Sequence, residues 1–106
     1  MHKLLRVAIG SIAFSLLASS LLAQQMTIDP SGSLPAGGKA AVSYSNPALA
    51  GQEVVIVVTG DDKTTVQITI QLNAQGNGVG SVDVSSTWRS AEFQAPSVAN
   101  QTLPVE

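Results

Sequence analysis

Cysteine is absent from this chain of 106 residues, and histidine occurs once, at His2. The lack of cysteine excludes disulfide bonds, a thiol nucleophile and the cysteine-linked lipid of an exported lipoprotein. Beyond His2 there is no imidazole, and no lysine is placed convincingly as a base, so the many serines lack a partner for nucleophilic catalysis. The sequence therefore predicts no enzyme activity, no catalytic residues, no metal site and no cofactor.

Charged side chains are also scarce, at 11% of the chain, and the formal net charge is −2. After residue 23, only Lys39, Lys63 and Arg89 are basic, against all seven acidic residues of the chain. Binding to nucleic acid or to an anionic lipid surface needs a basic patch. The composition therefore predicts that neither is a partner.

The first 23 residues have the order of a signal peptide. Lys3 and Arg6 give a basic start, and residues 7–22 are apolar apart from a glycine and scattered serines. This stretch is short for a spanning helix, although an uncleaved anchor is the alternative. Cleavage is expected after Ala23 or after Ser20. We expect residues 1–23 to be removed, residues 24–106 to form one domain with no membrane span, and the product to be exported to the periplasm or the medium.

Beyond the signal, apolar residues recur with a period of two and turn residues punctuate the chain at short intervals, which predicts an all-β domain. Residues 64–72 alternate strictly between apolar and polar, so one face of this strand should be buried. The unbroken β-branched run Val54 to Val58 predicts a central strand covered on both faces. A turn at residues 60–63 should join the two strands as an antiparallel hairpin.

Shorter alternating segments predict further strands at residues 26–29, 40–45, 80–84, 91–95 and 102–105. About seven short strands in one small domain predict a sandwich of two packed antiparallel sheets, with an open barrel as the alternative. Pro104 restricts the last segment to a sheet edge.

Several segments resemble exported bacterial immunoglobulin-like domains of the fibronectin-type kind. They lie between about Val42 and Pro96: residues 42–51 (VSYSNPALAG), 54–58 (VVIVV), 72–78 (LNAQGNG), Trp88 and 93–96 (FQAP). The resemblance implies an immunoglobulin-like β-sandwich that serves as an adhesive or structural module. The cysteine pair of antibody domains is missing, so the implication concerns fold more than function.

Trp88, the only tryptophan, has two interpretations. A large aromatic ring can stack on a sugar or anchor a partner. A domain with so few aromatics also needs the ring in its core, and core packing is the preferred interpretation.

A second candidate binding surface is a row of uncharged polar residues in the alternating strand: Thr65, Gln67, Thr69 and Gln71. Such a row is typical of a solvated strand face, and it is also regular enough to bind a glycan, ice or another sheet. Unpaired backbone groups at a sheet edge offer a further route to a partner.

Two turn segments resemble metal sites in the spacing or the type of their residues. Residues 73–78 have the spacing of a calcium loop but no carboxylate, which favours a glycine-rich hairpin turn. Asp61 and Asp62 are adjacent in a polar turn, which favours a solvated cap over a metal or acid–base pair.

The leading hypothesis is a noncatalytic exported immunoglobulin-like module that binds a protein or glycan partner at the cell envelope, through a sheet edge or a loop face. The alternative is a small carbohydrate-binding module that uses Trp88. A small enzyme is the remaining rival, and its plausible acids are Asp61, Asp62, Asp83 and Glu92, besides Asp29 and Glu53 near strand ends and the terminal Glu106.

Overall fold

A computed structural model describes residues 24–106, and the signal peptide expected at residues 1–23 lies outside them. The described chain has seven strands: β1 (Gln25–Asp29), β2 (Lys39–Ser45), β3 (Glu53–Gly60), β4 (Thr65–Gln71), β5 (Asn77–Asp83), β6 (Ser90–Gln94) and β7 (Gln101–Pro104). A single turn of 3-10 helix at Pro47–Leu49 lies between β2 and β3. Within residues 24–106 no helix is long and apolar enough to cross a membrane.

The strands form two antiparallel sheets. One sheet has the order β1-β2-β5, and the other has the order β4-β3-β6-β7. The alternating inward residues of both sheets make one hydrophobic core, to which Tyr44, Ile56 and Phe93 contribute large side chains that are almost fully buried. The predicted all-β sandwich of two antiparallel sheets is confirmed, and the strand bounds differ from the predicted ones by three residues or fewer.

The predicted hairpin is also confirmed: β3 and β4 pair antiparallel over their whole lengths, with Ile56 opposite Ile68. The prediction that the valine run is covered on both faces is wrong. Val54, Ile56 and Val58 point into the core, but Val55 is 43% exposed on the outer face. Strand β3 is central within its sheet, yet residues 24–106 supply no layer over that outer face.

Residues 73–76 form a turn, as predicted. The Gly76 N–H donates to the Asn73 carbonyl at 3.0 Å, and the Asn73 side-chain oxygen accepts the N–H groups of Gln75 and Asn77 at 2.9 and 3.0 Å. The prediction of a hairpin is wrong, because the strands that flank this turn, β4 and β5, belong to different sheets.

The two sheets approach closely where β4 faces β5. Gly78 and Gly80 present no side chain to the core, and Ile68 and Ile70 of β4 fill the space directly above them. A Cβ atom at Gly80 would lie 2.6 Å from Cγ2 of Ile68, far inside van der Waals contact. Strand glycines of this kind allow neighbouring elements to come close.

Candidate functional site

The turn between β3 and β4 is bound to the loop that precedes β6. Asp61 Oδ1 accepts the Arg89 N–H at 2.8 Å, and the Asp61 N–H donates to the Ser90 carbonyl at 3.1 Å. The Arg89 hydrogen bond lowers the pKa of the Asp61 carboxyl below its ordinary value, because it stabilises the charged form. Asp61 therefore holds the turn in place.

Asp62 closes the same turn from within. Its Oδ1 accepts the Thr64 hydroxyl at 2.6 Å and the Thr64 N–H at 3.1 Å, and these two bonds lower the pKa of the Asp62 carboxyl. The two carboxylates thus bind different partners, as expected of a turn cap. Among residues 24–106 no group of three or more His, Cys, Asp and Glu side chains is arranged to hold a metal ion.

Trp88 lies under this turn. The residue is only 4% exposed, and its Nε1–H donates to the Thr64 hydroxyl at 2.9 Å. Gly60 makes the space for the ring, since a Cβ atom there would overlap the indole. The preferred interpretation, core packing, is confirmed. The exposed ring face that sugar stacking requires is not available on Trp88.

Of the other candidate acids, Asp83 and Glu92 do not join Asp61 and Asp62 as one set. Asp83 lies on the other sheet, where it forms an exposed ion pair with Lys39 at 3.1 Å. Glu92 borders the same shallow depression as Asp61 and Lys63, and its Oε1 accepts a hydrogen bond from Gln94 at 3.2 Å.

The polar row predicted on β4 lies on the outer face of the four-stranded sheet, and all four of its side chains are exposed. Strand β4 is also the end strand of that sheet and pairs only with β3. The same segment therefore has an open side-chain face and a backbone edge to which no other strand is hydrogen-bonded.

Hydrogen bonds at the two ends of the hairpin show which backbone groups of β4 are free. The Leu72 N–H donates to the Gln52 carbonyl, and the Gly60 N–H donates to the Thr64 carbonyl, both at 2.9 Å. Bonding alternates along an antiparallel pair, so the even-numbered residues of β4 bond to β3. The odd-numbered residues direct their N–H and C=O groups away from β3, and among them the Gln71 carbonyl oxygen lies against Gly78 of β5. We call these four residues the β4 edge: Thr65, Gln67, Thr69 and Gln71.

Sequence reasoning found the β4 edge residues as a polar face but did not identify their backbone groups as unpaired. The period of two is the same in an end strand and in a central strand. Only the strand order, which depends on contacts distant in sequence, separates the two cases.

Comparison of the chain with models of protein families, with curated proteins and with solved structures gives no match.

Proposed function

We propose that the protein is a noncatalytic exported module of the immunoglobulin-like class, and that it binds a partner at the cell envelope through the β4 edge. The apolar stretch at residues 7–22 supports export. Seven strands divided three and four between two antiparallel sheets support the immunoglobulin-like class. The unpaired backbone of β4 is the observation that carries the binding proposal.

A free strand edge binds by a defined physical mechanism. Each outward N–H and C=O group of β4 can pair with an extended segment of another chain, which adds a strand to the sheet. Natural edges are commonly protected by lysine, by proline or by a bulge. The β4 sequence TVQITIQ contains neither residue and pairs with β3 without interruption, so it has none of these protections.

Within the predicted choice of a protein or a glycan, the β4 edge favours a protein. Its free groups repeat every second residue, which is the spacing of another extended backbone rather than of a sugar chain. The alternative of a carbohydrate-binding module depended on an accessible Trp88, and the observed burial of that residue favours the edge.

Photo-crosslinking in the native cells tests this proposal. A photoreactive residue at Gln67 should give a covalent adduct in the periplasmic or extracellular fraction. The same residue at Gln94 is the matched control, because Gln94 is an exposed glutamine on the same sheet face but on β6, an inner strand. Equal adduct yields at the two positions, or none at Gln67, would refute binding through the β4 edge.

A further inference from the structure

We infer that the occupant of the β4 edge is a second copy of this chain, whose own β4 pairs antiparallel across a two-fold axis at Ile68. This inference rests on the proposed function and names the partner. The resulting dimer would join two four-stranded sheets into one continuous sheet of eight strands.

The β4 sequence is self-complementary about its centre. Antiparallel pairing around Ile68 sets Val66 opposite Ile70 of the other copy, so β-branched apolar residues meet on the core side. On the outer side, Thr65 meets Gln71 and Gln67 meets Thr69, so uncharged polar residues meet each other. No charged residue of β4 opposes a like charge, because the strand has none.

The hydrogen-bonding pattern selects the same register. Two outward-facing residues must lie opposite each other for a bonded pair, which requires odd-numbered residues of one copy to face odd-numbered residues of the other. Centring on Ile68 satisfies this condition and leaves no residue of β4 without a partner. A shift of two residues either way keeps the bonding parity but leaves residues at both ends unpaired.

The exposure of Val66 near the start of β4 also favours pairing with a second copy. Val66 points to the core side of β4 but is 39% exposed, because it lies near the end of the sandwich. In the proposed pairing it gains Ile70 of the second copy as a direct neighbour. Residues opposite each other in an antiparallel pair lie close enough for side-chain contact, so the pairing covers apolar surface that the single chain leaves in water.

The other three edge strands, β1, β7 and β5, are less suited to pairing with a second copy. In β1, the Met26 carbonyl already accepts the Gln101 side-chain amide at 2.7 Å. At the end of β7, residues 34–36 run alongside the strand, where Leu34 bonds to Pro104 and Glu106. The outer edge of β5 is open, but the strand contains two glycines and the charged Asp83, and its sequence is not self-complementary.

Two double variants test both the contact and its register. In the Q67K/T69K variant, the proposed pairing sets introduced lysines directly opposite each other at two places. We expect the dimer dissociation constant to rise about tenfold or more at moderate ionic strength, since like charges in opposed positions repel. In the Q67K/T69E variant, each introduced lysine faces an introduced glutamate, and association should return. A register centred on residue 67 or 69 would instead oppose like charges in this second variant.

Sedimentation equilibrium of the purified protein, from roughly 1 µM to 1 mM, measures the association. Amide hydrogen exchange should show that protection at the β4 edge rises with protein concentration. A third variant, Q94K/T102K, carries the same added charge on the outer face away from β4 and should dimerise like the wild type. The urea-unfolding midpoint of each variant is measured as well. Association is compared only among proteins with the same midpoint, so that a folding defect is not mistaken for lost association.

A protein that stays monomeric over the whole range would overturn the self-pairing inference. So would a dimer that survives Q67K/T69K, or one that Q67K/T69E fails to restore. These outcomes are separate from failure of the proposed function. If Gln67 crosslinks to a different protein in cells while the purified chain is monomeric, edge binding stands and the second copy is excluded as its occupant.

Discussion

The two lateral sides of the sandwich, the β1/β7 side and the β4/β5 side, are closed by different kinds of contact. On the β1/β7 side, hydrogen bonds cover the strand ends: residues 34–36 bond alongside the end of β7, and the Gln101 side chain binds the Met26 carbonyl. On the β4/β5 side, closure is made by packing, with Ile68 and Ile70 set over Gly78 and Gly80. Packing shuts out water from the core but leaves the backbone edge of β4 unpaired.

The difference shows that excluding water from a core and hydrogen-bonding the backbone of a strand edge are separate requirements. Apolar side chains accomplish the first without satisfying a single outward N–H or C=O group. The β1/β7 side excludes water and also has hydrogen-bond partners at the end of β7 and at the Met26 carbonyl of β1, whereas the β4/β5 side only excludes water. The proposed edge pairing uses the β4/β5 side for this reason.

The largest expected effect comes from Leu34→Ala on the β1/β7 side. Leu34 is 1% exposed, so truncation leaves a cavity, and we expect a loss of about 3 kcal/mol in the free energy of unfolding. Urea denaturation measures it. Leu103→Ala, at a half-buried residue of β7, is the control and should cost less than half as much. Equal losses in the two variants would contradict the view that Leu34 anchors this side.

A smaller loss is expected from Gly80→Ala on the β4/β5 side. The added methyl meets Cγ2 of Ile68, and overpacking of this kind costs about 1–2 kcal/mol after the ordinary gain from replacing glycine in a strand. Urea denaturation again measures the change, and Ser81→Ala, at an exposed neighbour in β5, should be close to neutral. In an Ile68→Ala background the same glycine substitution should cost less. A stabilised Gly80→Ala protein would show that the close approach of the sheets is not needed.

The smallest effect concerns the turn that leads into β4. The pKa of Asp62 is lowered in the folded chain, so the unfolded chain takes up its proton at a higher pH than the folded chain does. This stabilisation is present above about pH 4, the ordinary aspartate range, and is lost as the pH falls through the folded pKa. The Asp62→Asn variant should therefore be less stable than the wild type at pH 7. The difference between their urea-unfolding midpoints should be smaller at pH 3. Parallel curves at both pH values would contradict this role.

The sequence predicted most of the fold because most strands have one buried face. In β4, the alternation of Ile68 and Ile70 with Gln67 and Thr69 reports directly which side meets the core. The valine run of β3 carries no alternation, so the exposure of Val55 could not be derived from it. Strand propensity indicates an extended backbone, whereas coverage depends on what the rest of the chain places above it.

Sequence reasoning missed one long-range contact and one change of sheet. The bridge between Leu34 and Val105 joins a segment that proline and glycine mark as irregular to the far end of the chain. The change of sheet between β4 and β5 was missed because the glycine-rich segment 73–78 also fits a hairpin turn when it is read locally. For the same reason, the four residues of the β4 edge were identified by type, while their unpaired backbone became evident only from the strand order.

Trp88 is the only tryptophan in the chain, and its indole lies on Gly60 and bonds to Thr64, at the turn that begins β4. Its fluorescence therefore reports on one hairpin instead of an average over several sites. A red shift in emission would signal that this turn has come away from the loop before β6, even while the β1/β7 side remains bonded, so the protein carries its own optical probe of the start of β4.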